Sequence, residues 1–221
     1  MDTILCYGDS NTYGQKPIAL DVLDEGLIPG TLRFGRDQRW PGVLGSELGN
    51  DFHIIEEGLN GRTTVFDDPV EGVYRNGMPY LMPCLQSHAP LDYVLLMLGT
   101  NDLKKRYSVS AYDIAWSVSS LIDIIQASQA GPSGDSPEVL LMCPPALGKI
   151  SQFSFMFEGG KEKSKELPEY YKKIAKQKGC HYFEVGKIIE ASKIDGIHYD
   201  AESHERLGKA VAGYMKEKML K

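Results

Sequence analysis

Four short polar segments, spread along the whole chain, carry the residue types that nucleophilic acyl chemistry needs. They are Gly8-Asp9-Ser10, Gly58-Leu59-Asn60-Gly61, Gly99-Thr100-Asn101-Asp102 and Asp195-Gly196-Ile197-His198. A serine hydroxyl becomes nucleophilic when a neutral histidine accepts its proton, and that histidine works best when a carboxylate holds it. Together the segments supply a hydroxyl, a base with its carboxylate, and N–H donors for an oxyanion.

The base and its carboxylate are predicted from spacing. His198 is the only one of the five histidines with an aspartate three residues before it, and Gly196 lies between them. Such a segment can fold tightly enough for both side chains to face one point. We therefore predict that His198 is the general base and that Asp195 orients it. The alternative is that Asp195 caps a turn and that His198 is a surface residue.

The predicted nucleophile is Ser10, which follows the apolar run that ends at Tyr7. Gly8 permits a sharp turn there, so the hydroxyl would lie over the start of the next helix, where the Ser10 N–H could face an oxyanion. The alternative is a helix cap, a role that suits Asp9, Ser10 and Asn11 alike. The chain has no Gly-x-Ser-x-Gly elbow, which argues against the α/β-hydrolase architecture.

Gly61 and Asn101 are the predicted partners of Ser10 in an oxyanion hole. Glycine lets a backbone N–H approach a ligand closely, and the asparagine amide is a donor. Each residue is also a common turn former, and that reading stays open for both.

The elements that would position these residues are short apolar runs alternating with amphipathic helical stretches. The strand candidates are Thr3–Tyr7, Phe52–Ile55, Tyr93–Leu98, Val139–Cys143 and Tyr182–Val185. Their continuous hydrophobicity is typical of parallel strands covered on both faces. The β-then-α order predicts a three-layer α/β/α sandwich with a five-stranded parallel sheet. Ligands of such folds bind beyond the carboxyl ends of the strands, where Ser10, Gly61 and Asn101 fall.

Size and composition favour an ordinary globular enzyme or binding protein. The chain has 221 residues, which suits a single domain over residues 1–221, and a net charge of −6 with dispersed basic residues, which argues against a nucleic-acid surface. Every apolar run is shorter than the roughly 20 residues that span a bilayer, so we expect neither a membrane segment nor a signal peptide.

The four cysteines are predicted to be free thiols. Cys6, Cys84, Cys143 and Cys180 show no Cys-x-x-Cys spacing, so we expect packed thiols in a reducing compartment rather than disulfides or a metal site. The expected location is cytoplasmic.

The four polar segments resemble blocks I, II, III and V of the SGNH (GDSL-type) hydrolases. The resemblance implies a flavodoxin-like fold in which Ser10, His198 and Asp195 form the triad, and Ser10, Gly61 and Asn101 form the oxyanion hole. Three further stretches are similar to a narrower branch, the bacterial arylesterase/acyltransferases. They are Trp40–Leu44, Glu56–Leu59 and Phe157–Gly160.

The resemblance implies a carboxylic-ester hydrolase that handles small acyl esters through an acyl-enzyme. Water or an alcohol would be the acceptor, and hydrogen peroxide would give perhydrolase activity. Tyr13 and Gln15 stand where the acyltransferase branch is more apolar, and a wetter pocket would favour water. The alternatives are a sugar O-deacetylase on the same machinery and a non-catalytic ligand-binding or scaffold protein.

The expected ligands are small esters alone, with no cofactor and no metal. Asp9, Asp102, Asp195 and His198 could bind a hard cation in principle, but a serine triad explains them without one.

Two long connections, residues 15–38 and 146–160, could reach over the site. The stretch Phe153–Phe157 would either line a channel or contact a neighbouring subunit, and we favour the contact. The resemblance also implies a homo-oligomer.

Overall fold

The structure is a computed structural model that describes residues 1–19 and 32–220. Its centre is one five-stranded parallel sheet with the strand order β2-β1-β3-β4-β5. The strands are β1 (Asp2–Gly8), β2 (Phe52–Gly58), β3 (Tyr93–Met97), β4 (Glu138–Cys143) and β5 (His181–Glu184). All five predicted strands are therefore present, in the flavodoxin-like order.

Strand β2 shows why some boundaries differ from the prediction. The apolar run ends at Ile55, but the strand continues through Glu56 and Glu57 to Gly58. β2 lies at the edge of the sheet, where strands are only half covered, and polar side chains are tolerated there.

Helices cover both faces of the sheet, as predicted for a three-layer sandwich. In the described part of the chain they are α1 (Ser10–Tyr13), α2 (Trp40–Leu48), α3 (Gly77–His88), α4 (Ala111–Gln126), α5 (Gly160–Lys178) and α6 (Ala201–Lys218). Strand β1 alternates between two apolar cores. Leu5 and Tyr7 pack with the core under α3, α4 and α5, whereas Ile4 and Cys6 pack with the core under α2 and α6.

The last helix begins where its sequence predicts. The Asp200 carboxylate accepts a hydrogen bond from the Ser203 N–H at 2.8 Å, so Asp200 is the N-cap of α6. Leu207 and Val211 of this helix are buried against the sheet, one helical turn apart on the same face. None of the helices in the two described ranges has the length and apolar character needed to cross a bilayer.

The carboxyl ends of the first three strands lie level with one another. Gly8 pairs with Gly58 on one side and with Met97 on the other. The segments that carry Ser10, Gly61 and Asn101 leave the sheet directly beyond this line. Of the connection 15–38, residues 20–31 lie outside the described residues.

Candidate active site

Ser10 is the first residue of α1, but it does not cap that helix. The N-cap is Asp9, whose carboxylate accepts a hydrogen bond from the Asn11 N–H at 2.9 Å. The Ser10 Oγ lies instead 3.1 Å from His198 Nε2. The helix-cap alternative therefore holds for Asp9, whereas the Ser10 side chain does not cap the helix and faces His198 instead.

The segment Asp195–His198 folds around its own carboxylate. Asp195 Oδ1 accepts from the backbone N–H groups of Ile197 and His198 at 2.9 Å each, and Gly196 has φ +76°, a conformation that favours glycine. Asp195 Oδ2 then lies 2.7 Å from His198 Nδ1. Asp195 thus forms a turn and contacts the imidazole at once, and His198 is buried rather than on the surface.

The Asp195 carboxylate is ionised. Burial raises its pKa, but the hydrogen bond and charge of His198 and the backbone N–H groups of Ile18 and Ile197 outweigh that effect, so the pKa lies below its ordinary value. The Ile18 N–H reaches Oδ2 at 2.9 Å. Because an ionised carboxylate only accepts hydrogen bonds, this contact favours the tautomer of His198 with its proton on Nδ1, in which Nε2 can accept from the Ser10 hydroxyl.

Gly61 and Asn101 line the same cleft as Ser10 and His198. Gly61 has φ +75°, and a Cβ there would lie 2.7 Å from Glu71 Oε2, so a larger residue is disfavoured. The Asn101 amide donates one hydrogen to the carbonyl of Arg62 at 3.1 Å. A primary amide has a second hydrogen, which leaves one donor for a ligand.

Arg62 is a buried residue that the sequence analysis missed. Its guanidinium donates to the Gly8 carbonyl at 3.0 Å and to the Glu57 carbonyl, and it stacks 4.1 Å from the centre of the Tyr7 ring. It joins the ends of β1 and β2 while its own carbonyl orients Asn101. An arginine next to Gly61 carries no spacing signal, so this role was visible only in the fold.

The cleft has a volume of about 310 Å³ and two unlike walls. The apolar wall consists of Ile18, Phe153, Met156, Phe157 and Ile197. The polar wall consists of Gln15, Asn60, Glu71 and Lys104. Both long connections therefore contribute to the cleft, as expected. Of the four apolar side chains in the stretch 153–157, only Phe155 does not line the cleft, and 90% of its surface is exposed.

A charged cluster stands behind the polar wall and was also missed. Lys104 Nζ lies 2.6 Å from Glu71 and 3.7 Å from Asp68, and Arg106 lies 2.8 Å from Asp68. The Tyr107 hydroxyl donates to Asp68 at 2.7 Å. These residues come from separate loops, and their spacing in the sequence carries no motif.

Two other carboxylates near the site are buried and already hydrogen-bonded. Asp102 accepts from the Thr64 N–H at 3.0 Å and from the Thr64 hydroxyl, and Asp9 caps α1. Burial raises the pKa of each to about 6. They support the loops around the cleft, which is a structural use that needs no cation.

Comparison with known proteins agrees with the predicted resemblance. Residues 6–206 match the GDSL-like lipase/acylhydrolase family. None of the curated proteins matches the chain.

Solved structures resemble the chain over nearly its whole length. A carbohydrate acetylesterase from Sinorhizobium meliloti is 40% identical, with a TM-score of 0.90 and coverage of 98% of this chain and 99% of that one. An aryl esterase from M. smegmatis is 39% identical, with the same TM-score and coverage. A second carbohydrate acetylesterase family member from Sinorhizobium meliloti is 35% identical, with a TM-score of 0.87 and coverage of 98% of both chains. With this family match and these neighbours, the chain belongs to the GDSL-like lipase/acylhydrolase family and is a serine esterase of the SGNH type.

Proposed function

We propose that the protein hydrolyses small carboxylic esters through a Ser10-His198-Asp195 triad and an acyl-enzyme. The observation that carries this proposal is the continuous chain from Asp195 Oδ2 through the imidazole to Ser10 Oγ, with contacts of 2.7 and 3.1 Å, which ends at a cleft. The cleft volume of about 310 Å³ favours small acyl groups.

In the proposed mechanism His198 Nε2 takes the Ser10 proton as Oγ attacks the ester carbonyl. The oxyanion accepts hydrogen bonds from the Ser10 and Gly61 N–H groups and from the free hydrogen of the Asn101 amide. Asp195 holds the Nδ1–H tautomer of His198 and stabilises its charged form. The imidazolium then protonates the leaving alcohol, and a water, deprotonated by His198, releases the acid. This chemistry uses side chains, backbone N–H groups and a water, without a cofactor or metal.

The acceptor in the second step is water in the main reaction. Gln15 in the polar wall hydrogen-bonds the Asn60 amide at 2.9 Å, which keeps this side of the cleft hydrophilic. An alcohol or hydrogen peroxide that enters in place of water would give an ester or a peracid, so weak acyltransferase or perhydrolase activity is part of the proposal.

A second candidate is a sugar O-deacetylase on the same machinery. The polar wall, with two amides and the Glu71–Lys104 pair, offers groups that hydrogen-bond hydroxyls, and two of the similar structures are carbohydrate acetylesterases. Acetylated oligosaccharides distinguish the candidates, because simple aryl acetates would be cleaved by both.

The test is the release of nitrophenol from p-nitrophenyl acetate by the wild type and by Ser10→Ala. We expect the turnover to fall by about 10⁶-fold in the variant. Ser119→Ala is the matched control, since Ser119 is equally buried but lies in α4. Unchanged turnover in Ser10→Ala would reject the triad. Failure of a fluorophosphonate to label Ser10 in the wild type would favour the scaffold alternative.

We also propose that the protein is a homo-oligomer in the cytoplasm. Phe155 is a large apolar side chain with 90% of its surface exposed, which is typical of a contact surface. All four cysteines are free, as predicted, which suits a reducing compartment.

A further inference from the structure

Three side chains with metal-binding donors converge outside the candidate active site. They are Glu57, Cys84 and His88, and their donor atoms all lie within 4.8 Å of one another. His88 Nε2 is 2.9 Å from Glu57 Oε1. This is the one grouping of three such residues at that distance within the described ranges.

Two separate elements hold the three donors in place. Cys84 and His88 are one turn apart on α3, so both project from the same face of the helix. Glu57 is the last residue but one of β2, whose end faces that helix turn. Cys84 is buried, and His88 and Glu57 are partly exposed, with 31% and 20% of their side-chain surfaces accessible.

On the Glu57 side the site is open to an ion and to water. Glu57 borders a cleft of about 580 Å³ that also reaches Tyr80 and Arg62. The Arg62 guanidinium is directed at the Gly8 and Glu57 carbonyls and at the Tyr7 ring, so it is engaged beside the three donors rather than among them. The Tyr80 hydroxyl lies 3.4 Å from Glu57 Oε1.

We propose that Glu57, Cys84 and His88 form a binding site for zinc or a similar late divalent metal ion. One thiolate, one imidazole and one carboxylate make a ligand set that suits zinc, and water from the adjacent cleft would complete a tetrahedron. Binding expels the Cys84 thiol proton to solvent, and the thiolate and carboxylate charges balance the dication. The bound ion would tie the end of α3 to the end of β2.

The spacing of the cysteines predicts no metal site, because the three donors come together only in the folded chain. Glu57 lies far before Cys84 in the chain, and a Cys-x-x-x-His pair without a second close cysteine carries no metal signature. The site is separate from Ser10 and His198, so it does not depend on the proposed ester hydrolysis.

The test is titration of the EDTA-treated full chain with Co²⁺, followed by absorption spectroscopy. We expect one equivalent to produce the visible bands of tetrahedral cobalt and a near-ultraviolet thiolate charge-transfer band. Cys84→Ala should abolish the charge-transfer band. Glu57→Gln and His88→Gln should weaken binding by about tenfold or more. Addition of Zn²⁺ should displace the cobalt and raise the midpoint of thermal unfolding in the wild type but not in Cys84→Ala.

Two variants serve as matched controls. Cys180→Ala removes a half-buried thiol, and His181→Gln removes a histidine that lies 3.7 Å from Glu138 without a thiol between them. Both should keep the spectrum. A wild type that gives no charge-transfer band, or a band lost in Cys180→Ala instead, would overturn the proposal. If Cys84→Ala does not fold, an unchanged cobalt affinity in the partly exposed His88→Gln variant would overturn it equally. Binding and hydrolysis are read out separately, so either proposal can fail alone.

Discussion

Two buried carboxylates near the cleft, Asp195 and Asp68, are alike in burial but differ in their hydrogen-bond partners. Asp195 and Asp68 are both fully buried, and both have pKa values below the usual range although burial alone would raise them. The hydrogen bonds of Asp195 lead through His198 to a hydroxyl at the cleft. Asp68 instead accepts hydrogen bonds from Arg106, Tyr107 and two backbone N–H groups, none of which leads to the cleft's serine.

The comparison shows that burial and a shifted pKa do not by themselves mark a catalytic group. Hydrogen bonds to the charged form lower the pKa of both carboxylates for the same reason. What separates them is the group at the far end of each hydrogen-bond chain. A nucleophile beside a cavity permits chemistry, whereas a closed ion-pair network stabilises a loop.

The largest effect that the comparison predicts is the loss of turnover in Asp195→Asn. The neutral amide can donate a hydrogen bond to Nδ1, so His198 would favour the tautomer with its proton on Nε2, which cannot accept the Ser10 proton. We expect kcat for p-nitrophenyl acetate to fall by about 10⁴-fold, with the fold retained. If kcat fell by less than tenfold, Asp195 would have a structural role, as Asp68 does, and no part in the proposed mechanism.

Next in size is the effect of Asn101→Ala. Removal of one oxyanion donor should lower kcat by about 10²- to 10³-fold, because the remaining N–H groups stabilise the oxyanion less. The KM should change little. Steady-state kinetics with p-nitrophenyl acetate measures both, and near-normal kcat would remove Asn101 from the mechanism.

For Asp68→Asn we expect a loss of stability with little change in turnover. This change leaves Lys104 and Arg106 with the partly exposed Glu71 as their counter-charge in place of the buried Asp68, and the free energy of unfolding should fall by about 3 kcal/mol. The turnover per active site should stay within a few-fold of the wild type. Urea unfolding gives the stability, and fluorophosphonate titration counts the active sites. A large drop in turnover per site without loss of stability would contradict the assignment of Asp68.

The pH dependence of stability distinguishes a different pair of carboxylates, Asp9 and Asp102, from Asp195 and Asp68. Asp9 and Asp102 have pKa values raised to about 6 by burial, so the folded state binds their protons more tightly and the free energy of unfolding should decline as the pH rises from about 4 to about 6. Asp195 and Asp68 have lowered pKa values, so their contribution is present above about pH 4 and is lost as the pH falls further.

Urea unfolding of the wild type and Asp102→Asn between pH 3 and pH 8 checks both signs. The variant should lose part of the decline between about pH 4 and about pH 6 and keep the loss below about pH 4. Identical slopes in the two proteins would show that Asp102 titrates normally.

The smallest effects are expected from two neighbouring phenylalanines. Phe153→Ala removes part of the apolar wall and should raise KM for p-nitrophenyl butyrate by roughly three- to tenfold. Phe155→Ala should leave KM unchanged and shift the sedimentation coefficient toward a smaller assembly, because its exposed ring is the proposed contact. Equal kinetic effects of both changes would mean that Phe155 also reaches the substrate.

Several features could be predicted from the sequence because they depend on local patterns. Continuous apolar runs located the five strands, since a parallel sheet covered on both faces needs them. The placement of Ser10, Gly61 and Asn101 at one edge followed from the β-then-α order. The Asp195–His198 contact was predictable because three residues with a glycine form one tight turn.

Other features arise only when distant segments meet. Arg62 orients Asn101, Ile18 donates to Asp195, and Glu71 pairs with Lys104, and none of these contacts has a sequence period or a motif. The two walls of the cleft also come from connections whose sequences do not show which side chains point inward.

The sequence by itself determined the fold class, the positions of the five strands along the chain and the residue types at the ends of three of them, because hydrophobic pattern and local turn chemistry act over short stretches. Only the tertiary structure decided which buried carboxylate connects through His198 to the Ser10 hydroxyl, which one joins an ion-pair network, and where Glu57 meets Cys84 and His88. Those outcomes depend on long-range packing, which brings together groups that the chain keeps far apart.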